Sequence, residues 1–126
     1  MLIVDTEIEN GPFAAREARH EIATVAPQLP EPVRNDVTLL VSELVTNAYR
    51  HSGQATKDAI GLRVELTGNT VRIEVSDRGG PRMPAVREAD DTGGWGLRIV
   101  ETVADRWGTS RNRSGTVVWF ELEAVQ

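Results

Sequence analysis

The sequence predicts an α/β (α+β) two-layer sandwich: one mixed, mostly antiparallel sheet covered on one face by three helices. Three observations predict it. Apolar residues recur at helical spacing in three separate stretches. They alternate with polar residues in two stretches that read as hairpins. The elements follow one another as β-α-α-β-β-loop-α-β-β.

Residues 2–9 alternate loosely and read as a short strand. Asn10-Gly11-Pro12 is a turn that can open a helix, because proline suits the first helical position. The stretch PFAAREARHEIATVA is then a first helix, ending before Pro27. Pro32 starts a second helix over 33–51, on which Val37, Leu40, Val41, Leu44, Val45 and Ala48 form one apolar stripe, and Ser52-Gly53 stops it. In GLRVELTGNTVRIEVSD, Leu62, Val64 and Leu66 alternate with polar residues, as do Val71, Ile73 and Val75. Gly68-Asn69 between them supplies turn chemistry. Residues 78–94 are rich in glycine, proline and charge and lack any period, so they read as a loop; at about 15 residues, such a loop inside a domain is usually functional. GLRIVETVADRWG is a third helix with Leu97, Val100, Val103, Ala104 and Trp107 on one face. Strands at 108–113 and 116–123 form a last hairpin around Ser114-Gly115.

Residues 1–126 are expected to form one domain, since 126 residues lie near the commonest domain size. With 40% hydrophobic and 26% charged residues, the composition is that of an ordinary globular chain with a real core. The absence of cysteine excludes a disulfide framework, a thiol nucleophile and a cysteine-based zinc site. A net charge of −5 offers no basic surface for nucleic acid. The N-terminus MLIVDTEIEN lacks a basic region and a long apolar run, and no segment approaches the ~20 apolar residues of a membrane span, so a cytoplasmic location is expected.

Three constellations carry chemistry. Glu43, Asn47 and His51 follow each other at intervals of four along one edge of the second helix's apolar stripe. A carboxylate there can act as a base, and an amide carbonyl is a neutral hard-oxygen donor suited to Mg²⁺. A solvated helix edge explains the same pattern. Second, Asp77 ends a strand and Gly79-Gly80 follow, so backbone can approach a planar base while the acid accepts from an exocyclic amine. A β-turn has the same composition. Third, Gly93, Gly94 and Gly96 precede a helix, where backbone N–H groups and the helix N-terminus favour an anion. Their spacing fits neither a P-loop nor a dinucleotide fingerprint, and a loop hinge is the plain alternative.

In order and spacing, the three segments together resemble the GHKL (Bergerat-fold) ATP-binding superfamily, and most closely the small anti-sigma factor serine kinases of the actinobacterial type. SELVTNAYRH resembles the N box, DRGG the G1 box, GGWGLRIVE the G2 box and SGTVVWFEL the G3 box, over roughly residues 12–123. The resemblance implies that Asn47 binds the Mg²⁺ bridging the triphosphate and that Glu43 is the general base for a substrate serine. It implies that Asp77 holds the adenine amino group, with Gly79 giving close approach and Thr116 assisting. Backbone amides of Gly94, Trp95, Gly96 and Leu97 would hold phosphates, and residues 80–93 would be the ATP lid. His51 would be a structural neighbour, and Arg16 and Arg19 either meet a partner or form a solvated helix face. The pattern departs at Pro81, which stands where the family's Asp-x-Gly-x-Gly has its second glycine, and Pro84 further stiffens the lid.

The function this implies is an ATP- and Mg²⁺-binding anti-sigma regulatory factor. It would sequester a sigma factor and phosphorylate a serine or threonine of an anti-sigma antagonist, and it is expected to be a homodimer. The alternative is a non-catalytic, ATP-gated protein-binding module with an altered G1 box. The ATPase part of a sensor histidine kinase is disfavoured, because nothing before the first helix reads as a phospho-accepting hairpin. A gyrase- or chaperone-like ATPase is disfavoured because no transducer follows residue 126.

Overall fold

A computed structural model describes residues 1–51, 59–77, 95–112 and 115–124, with backbone only for His51, Trp95, Gly96, Leu97 and Asn112. Strand β1 (Leu2–Ile8) leads into helix α1 (Ala14–Val25). Two short 3-10 turns, Ala26–Gln28 and Glu31–Val33, each with proline near its start, connect it to helix α2 (Arg34–His51). Strands β2 (Ile60–Thr67) and β3 (Thr70–Asp77) follow, then helix α3 (Trp95–Val103) and strands β4 (Arg106–Asn112) and β5 (Gly115–Glu123).

The strands form one sheet in the order β1-β2-β3-β5-β4, and each of its four pairings is antiparallel. The mixed, mostly antiparallel expectation thus resolves to antiparallel throughout the described strands. The β2–β3 turn is Gly68-Asn69, as the sequence requires, with Thr67 opposite Thr70. Gly68 takes φ +59, the left-handed conformation that a two-residue turn opening on glycine needs.

Alternation divides the sheet. Ile60, Leu62 and Val64 of β2, Val71, Ile73 and Val75 of β3, and Val118, Phe120 and Leu122 of β5 are all buried. Helix α2 covers them with Val37, Leu40, Val41, Leu44, Val45 and Ala48, each at most 4% exposed. The predicted stripe is therefore the centre of the core. Helix α1 adds Ala18 and Ile22 and packs on α2 and β1, while α3 adds Val100 and packs on α2 and β4. All three helices lie on this one face.

The opposite face carries paired charges. Glu121 accepts from Arg106 Nε at 2.7 Å and from Arg72 Nη1 at 3.1 Å, and Arg72 also reaches Glu74 at 3.3 Å. The Arg106 hydrogen bond most of all, with Arg72 beside it, holds the Glu121 carboxyl below the usual carboxylate range, and the Glu121 and Glu123 carboxylates raise the Arg106 guanidinium in turn. The Arg72 guanidinium lies 4.1 Å from the centre of the Trp119 ring. Below that ring is Gly108, where a Cβ would come within 2.9 Å of the indole.

One element differs from its sequence reading. The third helix stops at Val103, and Trp107 belongs to β4, opposite Phe120. Asp105 N–H donates to the Glu121 carbonyl at 3.0 Å, which draws the chain into the sheet two residues after the helix. Trp107 nonetheless packs on the core, because its parity in β4 aims it at the helices. A strand position thereby imitates a further helical turn.

Candidate nucleotide-binding site

Sheet topology gathers five strand ends at one edge of the sandwich. Ile8 pairs with Ile60, Gly61 with Ser76, Asp77 with Thr116, and Asn112 with Gly115. Helix α2 climbs toward this edge, because β2 starts there after it. Helix α3 descends from it, because its C-terminal end joins the far end of β4 at Arg106, opposite Glu121. The C-terminal half of α2, the N-terminus of α3 and the ends of β3 and β5 therefore share one region.

At this edge the core becomes polar. The buried column of β3 continues from Val71, Ile73 and Val75 to Asp77, and that of β5 from Leu122, Phe120 and Val118 to Thr116. Asp77 and Thr116 are direct cross-strand partners on the face that carries the helices. Asp77 Oδ1 is buried, and Thr116 is 2% exposed. The Thr116 hydroxyl has no hydrogen-bond partner among the described residues. A buried hydroxyl without a partner costs about 1–3 kcal/mol. A purine edge offering an acceptor would relieve that cost, while its exocyclic amine could donate to the Asp77 carboxylate.

Glu43 and Asn47 are half-buried on α2, beside the fully buried Leu44 and Ala48. Their position follows from spacing: residues adjoining the stripe at intervals of four form the rim where the helix leaves the core. Helix α2 packs on β3 and against α3, so this rim belongs to the same end of the sandwich as Asp77. Among the described residues no three His, Asp or Glu side chains converge as a metal cage. A Mg²⁺ at Asn47 would complete its shell with phosphate oxygens and water, as Mg²⁺ usually does. Trp95, Gly96 and Leu97 form the first turn of α3, with their backbone at the helix N-terminus. Gly79, Gly94, Pro81, Pro84 and the expected lid over 80–93 lie outside the described residues.

Of the two arginines considered on α1, Arg19 donates from Nη1 to Ser42 Oγ of α2 at 2.9 Å and so ties the two helices together. Arg16 lines a cleft of about 460 Å³ with Phe13, His20 and Glu7. Sequence reasoning passed over Arg111, which lies opposite Thr116 on β4 and in the same row as Asp77. The signal that finds it is strand register, which depends on where the β4–β5 turn falls.

A sandwich of this order, with a polar patch where its central strands meet two helices, is the architecture of a nucleotide-binding domain. The chain belongs to the histidine kinase-like ATPase domain family, whose match covers residues 8–122. It is an ATP-binding domain of kinase-like type. An uncharacterized protein of Streptomyces coelicolor is 32% identical over 74 residues, which cover 56% of this chain and 70% of that protein. Among solved structures, the blue-light activated histidine kinase of Erythrobacter litoralis EL346 superposes with a TM-score of 0.56 at 24% identity, covering 75% of this chain and 31% of the kinase. The separate histidine kinase domain of the same protein superposes with a TM-score of 0.57 at 17% identity, over 84% of this chain and 60% of the domain. These likenesses show the fold. No helix among the described residues is long and apolar enough to cross a membrane.

Proposed function

We propose that the protein is an ATP- and Mg²⁺-dependent regulator of the anti-sigma kinase type. The observation that carries the reading is the Asp77–Thr116 pair, a carboxylate beside a buried hydroxyl that has no partner among the described residues, in a chain of the histidine kinase-like ATPase family. Asp77 and Thr116 bind the adenine edge, assisted by the backbone at Gly79. Asn47 would hold a Mg²⁺, which would supply positive charge to the triphosphate, and the backbone amides of Gly94, Trp95, Gly96 and Leu97 would bind phosphate oxygens. Glu43 takes the proton of a serine or threonine hydroxyl on an antagonist protein. That oxygen forms a bond to the γ-phosphorus while the bond to the β–γ bridging oxygen breaks, and ADP leaves. Positioning and charge neutralisation supply most of the acceleration, as in phosphoryl transfer generally. The unphosphorylated antagonist and a sigma factor compete for a cytoplasmic homodimer of the protein.

Calorimetric titration with ATP, with and without Mg²⁺, tests the site. Binding that strengthens with Mg²⁺, and loses that strengthening in Asn47→Ala, is the expected result. No heat at high protein and nucleotide concentration refutes the reading. A second reading, a non-catalytic ATP-gated binding module, is favoured by Pro81 in the G1 segment. Glu43→Ala separates the two. A kinase loses transfer to its antagonist and keeps nucleotide, whereas a pure binder keeps ATP-dependent control of its partner.

A further inference from the structure

The row that begins with Asp77 and Thr116 continues one strand further. Thr116 pairs with Arg111 on the edge strand β4, so a carboxylate, a buried hydroxyl and a guanidinium lie side by side across three strands. Parity places Arg111 on the helix-bearing face. It lies four positions after Trp107, which packs on the core from the same strand. Strand spacing sets Arg111 about 10 Å from Asp77, two strands away. A nucleotide whose base is anchored at Asp77 is long enough to bring its phosphates to that distance.

The N-terminus of α3 is directed to the same edge. Helix α3 and strand β4 are joined at Asp105, whose N–H donates to the Glu121 carbonyl and whose Oδ2 accepts from Glu123 N–H at 2.7 Å. From that joint the helix climbs about 12 Å to Trp95. The strand climbs about 16 Å from Arg106 to Arg111. The positive end of a helix and a guanidinium thus approach one edge, with the buried Thr116 hydroxyl between the anchoring carboxylate and the cation. Arg106, at the other end of β4, lies on the opposite face with Glu121 and Glu123.

From this juxtaposition we propose that Arg111 is a phosphate-binding residue of the nucleotide site, an assignment that rests on the ATP-binding reading above. Its guanidinium donates to a phosphate oxygen of the nucleotide bound at Asp77 and Thr116. The plain alternative is a charge that blunts an edge strand against aggregation.

The test compares binding of ATP, ADP and adenosine to the wild-type protein and to Arg111→Ala and Arg111→Lys, with thermal melts to verify folding. Arg111→Ala should weaken ATP and ADP about ten- to hundred-fold and leave adenosine unchanged, since adenosine carries no phosphate. Arg111→Lys should recover part of the loss, because it keeps the charge without the planar fork. Unchanged ATP affinity in folded Arg111→Ala would overturn the assignment and leave an edge charge. An equal loss for adenosine would overturn it too, because the arginine would then act on the base or on the scaffold. Wild-type protein that takes neither nucleotide nor adenosine would overturn the nucleotide reading itself, and the Arg111 assignment with it.

Discussion

Replacing Thr116 with valine should stabilise the nucleotide-free protein and weaken its hold on ATP. Valine keeps the shape of threonine and exchanges the hydroxyl for a methyl group. The hydroxyl is buried, at 2% residue exposure, and has no partner among the described residues. Removing it should return about 1–2 kcal/mol of desolvation cost. With about 2.1 cal/mol/K of unfolding entropy per residue, 126 residues carry about 0.26 kcal/mol/K, so each kcal/mol raises the melting midpoint by about 4 °C. Without nucleotide, Thr116→Val should therefore melt about 4–8 °C above wild type. ATP should narrow that gap. At a hundred times its Kd, ATP stabilises wild type by about 2.7 kcal/mol. A variant that binds tenfold more weakly gains only about 1.4 kcal/mol at the same concentration. Calorimetric melts at several ATP concentrations measure both effects. A variant less stable than wild type without nucleotide would show that the hydroxyl already makes a native hydrogen bond. Equal gains from ATP in the two proteins would show that the hydroxyl does not meet the nucleotide.

Two further predictions concern the open face of the sheet. Gly108→Ala should cost about 1–3 kcal/mol, read as a lower urea midpoint with unchanged slope, because the new Cβ meets the Trp119 indole at 2.9 Å while Arg72 holds the ring from above. An unchanged midpoint would mean that the ring yields freely. Glu121→Gln should flatten the acid side of the stability curve. The Glu121 carboxyl is depressed when folded, so its contribution is complete above the ordinary value of 4.5 and is lost as pH falls through the lowered folded value. Urea unfolding at stepped pH below 4.5 should show a shallower decline in the variant than in wild type; parallel curves would refute the coupling.

Register explains why part of the site was legible and part was not. Asp77 announces itself as an acid at a strand end before glycines, whereas Thr116 enters through the resemblance of SGTVVWFEL to the G3 box. Arg111 does neither, because its meaning depends on its opposite number. A turn centred on Ser114-Gly115 would set position 113 against Thr116, whereas the observed pairing of Asn112 with Gly115 sets Arg111 there. Moving a turn by one residue moves the cross-strand partner by two, and local composition does not decide between the two turns. Trp107 imitates a helical position for a related reason. Spacings of three and four from Val100 and Val103 continue through it, yet the hydrogen bond from Asp105 to Glu121 had already ended the helix.

Periodicity by itself determined the order of strands and helices, the buried stripe of α2 and the Gly68-Asn69 turn. Those features follow from side-chain spacing and backbone conformation within a few residues. It also marked Glu43 and Asn47 as the rim of a buried face. Tertiary structure alone decided the strand order β1-β2-β3-β5-β4, the pairing of Thr116 with both Asp77 and Arg111, and the transfer of Trp107 from helix to strand. It decided the tie from Arg19 to Ser42 as well. Each of these joins residues that are distant in the chain or separated by a turn. Their alignment is chosen by the burial of a whole sheet face, a quantity that no single segment contains.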